Sequence, residues 1–233
     1  MWLTRCQLCL RRAGSALCPG CWGQIPQLEA ERHSFVLTEP DGTVSHPHIA
    51  YAAYASPLKQ ILYTVKYHGA RSLARSLGAH LGRWYLDHWP RPDLLVPIPL
   101  HPERQSQRGY NQAEELARGM GEVLERPCVR LLERSVNTPA LYELSAAERQ
   151  QALQQAFRLQ RSHSAKLNSR ILLIDDIITT GSTLLSAADC LKPLSVRLVS
   201  LSLARAMLSD RDPELNQTLD PGKNQDSDGS EAS

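Results

Sequence analysis

The chain has 233 residues, 42% apolar and 21% charged. These ordinary globular proportions exclude collagen-like, coiled-coil and wholly disordered classes and allow one large domain with a small appendage. The longest apolar runs, Ile49 to Ala55 and Leu94 to Leu100, fall far short of the ~18 residues of a membrane span, and no N-terminal stretch reads as a signal core, so a cytoplasmic protein without a membrane span is expected. The net charge of +2 conceals a division: Ser209 to Ser233 holds seven acids against two bases, net −5, which leaves +7 on the rest. That body suits an anionic ligand, either a phosphorylated small molecule or nucleic acid.

The first feature along the chain is Cys6-x-x-Cys9 followed by Cys18-x-x-Cys21. Two such knuckles close a tetrahedral tetrathiolate, the usual structural zinc arrangement, with no coordination position left open for catalysis. The alternative, two disulfides, fits poorly with a chain that lacks a signal peptide. Residues 1–26 are therefore read as a four-cysteine zinc module that is structural or a docking surface, while Cys128 and Cys190 are read as buried small hydrophobes.

Pro40-Asp41-Gly42 is a turn signal between two short strands. Ser56 and Pro57 read as the N-cap and first residue of a helix whose apolar face is Leu58, Ile61, Leu62 and Val65, closed by Gly69. Lys66, in its last turn, reads as a cap that complements the dipole. A second helix presents Leu73, Leu77 and Leu81; Leu94 to Ile98 reads as a buried strand; Gln112 to Glu125 is a helix with Leu116, Met120, Val123 and Leu124 inward. Cys128 to Leu132 reads as a strand, Ser135 to Gln155 as a polar insertion, Arg170 to Ile174 as a strand, Ser182 to Leu191 as a helix and Val196 to Leu203 as a strand. Strands alternating with amphipathic helices make this an α/β protein with a mainly parallel sheet. The polar tail, 206–233, cannot offset its ordering entropy and reads as disordered.

Ligands of such sheets bind at the carboxyl ends of strands. After Ile174 the chain reads Asp175-Asp176-Ile177-Ile178-Thr179-Thr180-Gly181-Ser182-Thr183 and enters a helix. A glycine, four hydroxyls and a helix N-terminus form a phosphate cradle. Without the lysine of a P-loop it is unlike a nucleoside triphosphatase. The adjacent carboxylates suit the hydrogen-bonding hydroxyls of a ribose.

Ile171 to Thr183 resembles the phosphoribosyl pyrophosphate (PRPP) signature of type I phosphoribosyltransferases. Val96-Pro97-Ile98-Pro99-Leu100-His101-Pro102, Arg104 and Arg108-Gly109-Tyr110-Asn111-Gln112-Ala113 narrow the resemblance to the ComF/GntX branch, over residues 1 to about 205. The resemblance implies a type I phosphoribosyltransferase-like domain over 35–205 behind the zinc module. Asp175 and Asp176 would hold the ribose hydroxyls, and Thr179, Thr180, Gly181, Ser182 and Thr183 the 5′-phosphate. Arg104 and Arg108, in a Leu100 to Gly109 diphosphate loop, would face the pyrophosphate with magnesium. Transfer of phosphoribose to an unspecified acceptor is one implied function. The other is a competence-type role in DNA uptake or utilisation, with single-stranded DNA and DNA-uptake or helicase proteins as partners and the fold as a scaffold. Ser135 to Gln155 takes the place of a mobile hood, where Leu141 and Ala152 replace the usual Gln and Asn while Arg149 and Phe157 fit. Tyr110 replaces a usual Phe. His101, between two prolines, reads as structural or solvent-facing, and Trp2, Trp22, Trp84 and Trp89 are too scattered for a base-stacking platform.

Overall fold

The computed structural model describes residues 4–28, 33–38, 41–134, 156–160 and 168–206. A small ribbon, β1 (Thr4–Arg5) and β2 (Arg12–Ala13), and a one-turn helix α1 (Pro19–Trp22) carry the four N-terminal cysteines. Next come β3 (Ser34–Thr38), β4 (Val44–Ala53), α2 (Leu58–Tyr67), α3 (Arg71–Leu86), β5 (Leu94–Pro97), α4 (Pro102–Arg108) and α5 (Gln112–Leu124). A short antiparallel pair, β6 (Leu132–Arg134) and β7 (Phe157–Leu159), precedes β8 (Arg170–Ile178), α6 (Ser182–Leu191) and β9 (Arg197–Arg205).

The central sheet runs β3-β4-β9-β8-β5, antiparallel only between β3 and β4 and parallel through its other three pairings. This is the mainly parallel α/β architecture expected from the alternation of elements. Both sheet faces are covered, as a parallel sheet requires, and neighbouring β8 residues feed opposite cores. Leu172 and Ile174 join α2, α3 and α5, whereas Ile171 and Leu173 join Leu184, Ala187 and Leu191 of α6. The expected inward faces of α2 and α3 are buried. Helices α3 and α5 cross backbone to backbone: a Cβ on Gly78 would lie 2.1 Å from the Leu116 carbonyl oxygen, and one on Gly119 would lie 2.0 Å from that of Arg75. Any larger residue at either position would force the helices apart.

Several local expectations change. Ser56 is not an N-cap: α2 begins at Leu58, Pro57 occupies the cap position, and no side chain caps the helix. Strand β8 does not stop at Ile174 but pairs with β9 to Ile178, in register Asp175 with Ser202 and Ile177 with Ala204. A break in apolar patterning does not end a ladder whose partner strand continues. Cys128 to Leu132 is not one strand. Its first residues bond to the edge of β5 around Leu95, after which the chain turns and Leu132 pairs with Leu159 instead. Both C-terminal cysteines are half-buried rather than fully buried; desolvation pushes the Cys128 thiol up to about 11 and raises that of Cys190. The expected hood, 135–155 with Leu141, Arg149 and Ala152, and the expected disordered tail from 207 onward lie outside the described residues.

A polar chain links β4 to β9 inside the second core. Ser45 Oγ meets His46 Nδ1 at 3.0 Å, His46 Nε2 meets Ser200 Oγ at 3.0 Å, Ser200 Oγ meets His48 Nδ1 at 2.7 Å, and His48 Nε2 meets Ser202 Oγ at 3.0 Å. Ser202 donates its proton to the Ala204 carbonyl. Its oxygen must therefore accept from His48 Nε2–H, and the same count along the chain makes both histidines neutral Nε2–H tautomers.

Candidate functional site

Strand β8 ends where Thr179 to Gly181 turn into α6. Gly181 caps the helix in the left-handed conformation, with φ at 81°, a region costly to residues with a Cβ. A Cβ there would also lie 2.8 Å from Leu37 Cδ2 on β3. Thr180 Oγ1 is 3.0 Å from Ser182 Oγ and accepts the Ser182 N–H at 3.4 Å, so the loop folds its hydroxyls over the helix N-terminus. The first N–H groups of a helix have no partner within it, and the Thr180 and Ser182 hydroxyls lie beside those of α6.

The two carboxylates behind the loop have opposite electrostatic fates. Burial would raise both. Asp176, however, lies 2.9 Å from the Lys66 ammonium, and both side chains are nearly buried, 13% and 11% exposed. Lys66, with Arg108 adding its charge, outweighs desolvation and holds Asp176 below the usual carboxylate range. Asp175 accepts the Asp176 N–H at 2.8 Å, but desolvation and the neighbouring negative charge push its carboxyl well above that range. Lys66 is thus more than a dipole-complementing cap: it reaches across from α2 and fixes the charge of the acidic pair.

Two arginines, Arg108 and Arg134, stand near these acids, and Arg104 stands near Arg134. The Arg108 guanidinium lies over the Tyr67 ring at 5.4 Å. Arg134, on β6, lies over Phe157 at 5.4 Å and is held below its ordinary value by desolvation and then by the charge of Arg104, with Asp175 opposing. Residues of the Arg108 to Asn111 motif hold that wall in place. Tyr110 donates to the Val65 carbonyl of α2, Asn111 donates to the Ile98 carbonyl at 2.8 Å, and the Asn111 side chain caps α5 by accepting the Ala113 N–H at 3.0 Å. His101 is half-buried at the start of α4, 3.8 Å from the Glu103 carboxylate.

The cysteine quartet converges. Sγ atoms of Cys6, Cys9, Cys18 and Cys21 lie within 4.8 Å of one another, with Cys6 to Cys21 at 3.6 Å and Cys9 to Cys18 at 3.7 Å. All are free thiols. Four sulfurs about 2.3 Å from a tetrahedral ion are about 3.8 Å apart, so the donor set fits a metal ion and not a disulfide pair. Desolvation opposes ionisation of Cys6, but N–H groups of Cys9, Cys18 and Leu8 overcome it and lower its thiol to about 6. Trp22, next to Cys21, stacks on His80 of α3 at 3.9 Å; Cys6, Leu17, Cys21 and Ile25 belong to the same apolar cluster as Tyr51, Leu77 and Leu201 of the body.

No protein-family model matches the chain. Competence protein F of Haemophilus influenzae is 34% identical over 160 residues, 66% of this chain and 70% of that protein. The chain belongs to the ComF family. Competence protein ComFC of Bacillus subtilis is 31% identical, over 66% of this chain and 62% of that protein, and the DNA utilization protein YhgH of Salmonella typhi is 28% identical over 80% and 83%. Solved structures that resemble this ComF-family chain include adenine phosphoribosyltransferase from Leishmania tarentolae, 17% identical with a TM-score of 0.44 over 76% of this chain and 86% of that one, a likeness from which nothing further follows. Among the described residues no helix is long and apolar enough to cross a membrane.

Sequence reasoning passed over Lys66 as a partner of Asp176, and over Arg134 and Tyr54 altogether. Tyr54, raised by burial, feels the charges of Lys66 and Asp176. Nothing in local spacing joins α2, β6 and β8; only the parallel crossover topology does.

Proposed function

We propose that this ComF-family protein binds PRPP at the carboxyl end of β8. The observation that carries this reading is the acidic pair in which Asp176 is held ionised by Lys66, set directly before the hydroxyl-lined N-terminus of α6. The 5′-phosphate goes to the amides and hydroxyls of Thr179 to Thr183, and the ribose hydroxyls donate to Asp175 and Asp176. Arg104 and Arg108 face the diphosphate. Magnesium, which prefers substrate phosphate oxygens and water to an all-protein cage, would come with PRPP and supply neutralisation of the diphosphate charge beside Arg104 and Arg108. In transfer, an acceptor lone pair forms a bond to C1 as the C1–O bond to diphosphate breaks, and pyrophosphate leaves with the electron pair. The two arginines stabilise that leaving charge. The four thiolates hold a structural zinc, which requires reduced cysteines and so a reducing compartment such as the cytoplasm.

Calorimetry with PRPP and magnesium tests the reading. Binding is expected in folded, metal-loaded protein, with about tenfold or greater weakening in Asp176→Asn/Lys66→Met, which removes the ionised acceptor without stranding the ammonium, since a charged hydrogen bond contributes roughly 1.5 to 3 kcal/mol. Absence of binding in folded wild type would reject it. The names of the relatives and the +7 body favour a second role: handling single-stranded DNA, with DNA-uptake or helicase proteins as partners.

A further inference from the structure

One row of rings is left unused by the phosphate site. Beside it, Tyr54 has the Lys59 ammonium over its ring at 5.4 Å. The row starts at Tyr67, with Arg108 on it. Tyr63, one helical turn earlier on α2, lies 4.9 Å from Tyr67 at 45°, and His68 lies 5.5 Å from Tyr63. The row therefore runs from the ring under the Arg108 guanidinium to solvent, where Tyr63 is 43% exposed. Lys59, Tyr63 and Tyr67 recur at i, i+4 and i+8 and share a helix face. Helix α2 carries no acid from Leu58 to Tyr67.

We propose that this face of α2 is a stacking track for single-stranded DNA, with bases on Tyr63, Tyr67 and His68 and phosphates toward Lys59 and Arg108. Exposed aromatic rings interleaved with cations are what an unpaired strand recognises, because every base offers a π-face and every linkage a negative charge. A duplex has its bases already stacked and gains nothing from the rings. A protein partner is the less suited occupant, since a short row of polar-tipped rings flanked by cations forms no broad apolar patch. The proposal rests on the DNA-handling reading and deepens it; it does not depend on PRPP binding.

Fluorescence anisotropy with a labelled oligothymidylate at fixed salt is the experiment. Wild type should bind it more tightly than a duplex of equal length and more tightly than an abasic strand of equal charge. Tyr63→Ala should weaken oligothymidylate binding about fivefold or more, Tyr63→Phe should retain it, and the abasic strand should not distinguish the two variants. Tyr63 lies outside the phosphate site, so Tyr63→Ala should bind PRPP as wild type does. Asp175→Asn should still bind the oligonucleotide. Binding that survives Tyr63→Ala, is lost equally in Tyr63→Phe, or is as tight for the duplex overturns the track while leaving DNA handling intact. No oligonucleotide binding by folded wild type overturns both, and failure to bind PRPP alone overturns only the phosphate-site reading.

Discussion

Acid should loosen the seam between β4 and β9 before it affects the rest of the fold. His46 and His48 are neutral and buried, and desolvation lowers them from 6.5 to about 4 and about 3 respectively; Asp189 opposes the shift at His46, and the charges of His46 and Arg205 reinforce it at His48. Because their folded-state values lie below the unfolded value, protons bind the unfolded chain first as pH falls. The contribution is therefore fully present above about pH 6.5 and is lost progressively as pH drops toward 4 and 3. Each such histidine removes about 1.4 kcal/mol per pH unit, so two of them remove about 5 kcal/mol between pH 6.5 and 4.5. That is comparable with the whole stability of many domains, about 5 to 15 kcal/mol. Urea unfolding at pH 7 and about 4.5, on wild type and on His46→Gln/His48→Gln, separates this effect from the carboxylates and the other histidines. The variant should be less stable at neutral pH, through lost packing and hydrogen bonds, yet lose about 5 kcal/mol less on acidification. Equal acid losses in the two proteins, or nitrogen NMR showing either ring titrating near its ordinary 6.5, would refute the reasoning.

Asp176→Asn should cost about 3 kcal/mol or more, because it strands the nearly buried Lys66 ammonium without its anion. Adding Lys66→Met should recover much of that loss in a thermal unfolding cycle, while leaving PRPP binding impaired. Gly181→Ala should destabilise by about 1 to 2 kcal/mol from the left-handed backbone alone and weaken PRPP further by displacing the loop from Leu37. Adding Leu37→Ala should not restore binding, because the backbone penalty remains. Purified protein should carry one zinc per chain by elemental analysis; metal-free protein with the four N-terminal cysteines in disulfides would remove that assignment. Deleting residues 209–233 should tighten oligonucleotide binding, since the −5 segment competes with DNA for the basic body, and affinity should fall linearly on a log-log plot against salt.

Where a property is local, the sequence announced it. The 3.6-residue spacing of Leu58, Ile61, Leu62 and Val65 marked the buried face of α2, and Gly181 before Ser182 marked the start of α6 to the residue. The cysteine spacing anticipated the converging thiols. Residues whose meaning depends on a distant partner were silent. Lys66 looks like any basic residue in a last turn until β8 brings Asp176 to within 2.9 Å. The strand that carries Asp175 and Asp176 looked finished at Ile174, because two acids interrupt its apolar run and only β9 pairing continues it. Tyr63 and Tyr67 gave no stacking signal in the sequence, and Trp84 and Trp89, expected to be scattered, pack on each other and on Tyr85 and His88. His46 and His48, two apart on one strand, carried no signal without the serines of β9.

Trp22 presses on His80, and His80 Nε2 shares a hydrogen bond with the Tyr51 hydroxyl of β4 at 2.9 Å. The cysteine knuckles are therefore not a detachable arm but the first layer of the molecule's interior. Damage to the four sulfurs by a peroxide or a chelator would pass through Trp22 and Tyr51 into β4, whose neighbour β9 lies beside the strand bearing the acidic pair. The integrity of four sulfurs at one end of the chain is thus tied, through two rings and one hydroxyl, to the packing of the central sheet.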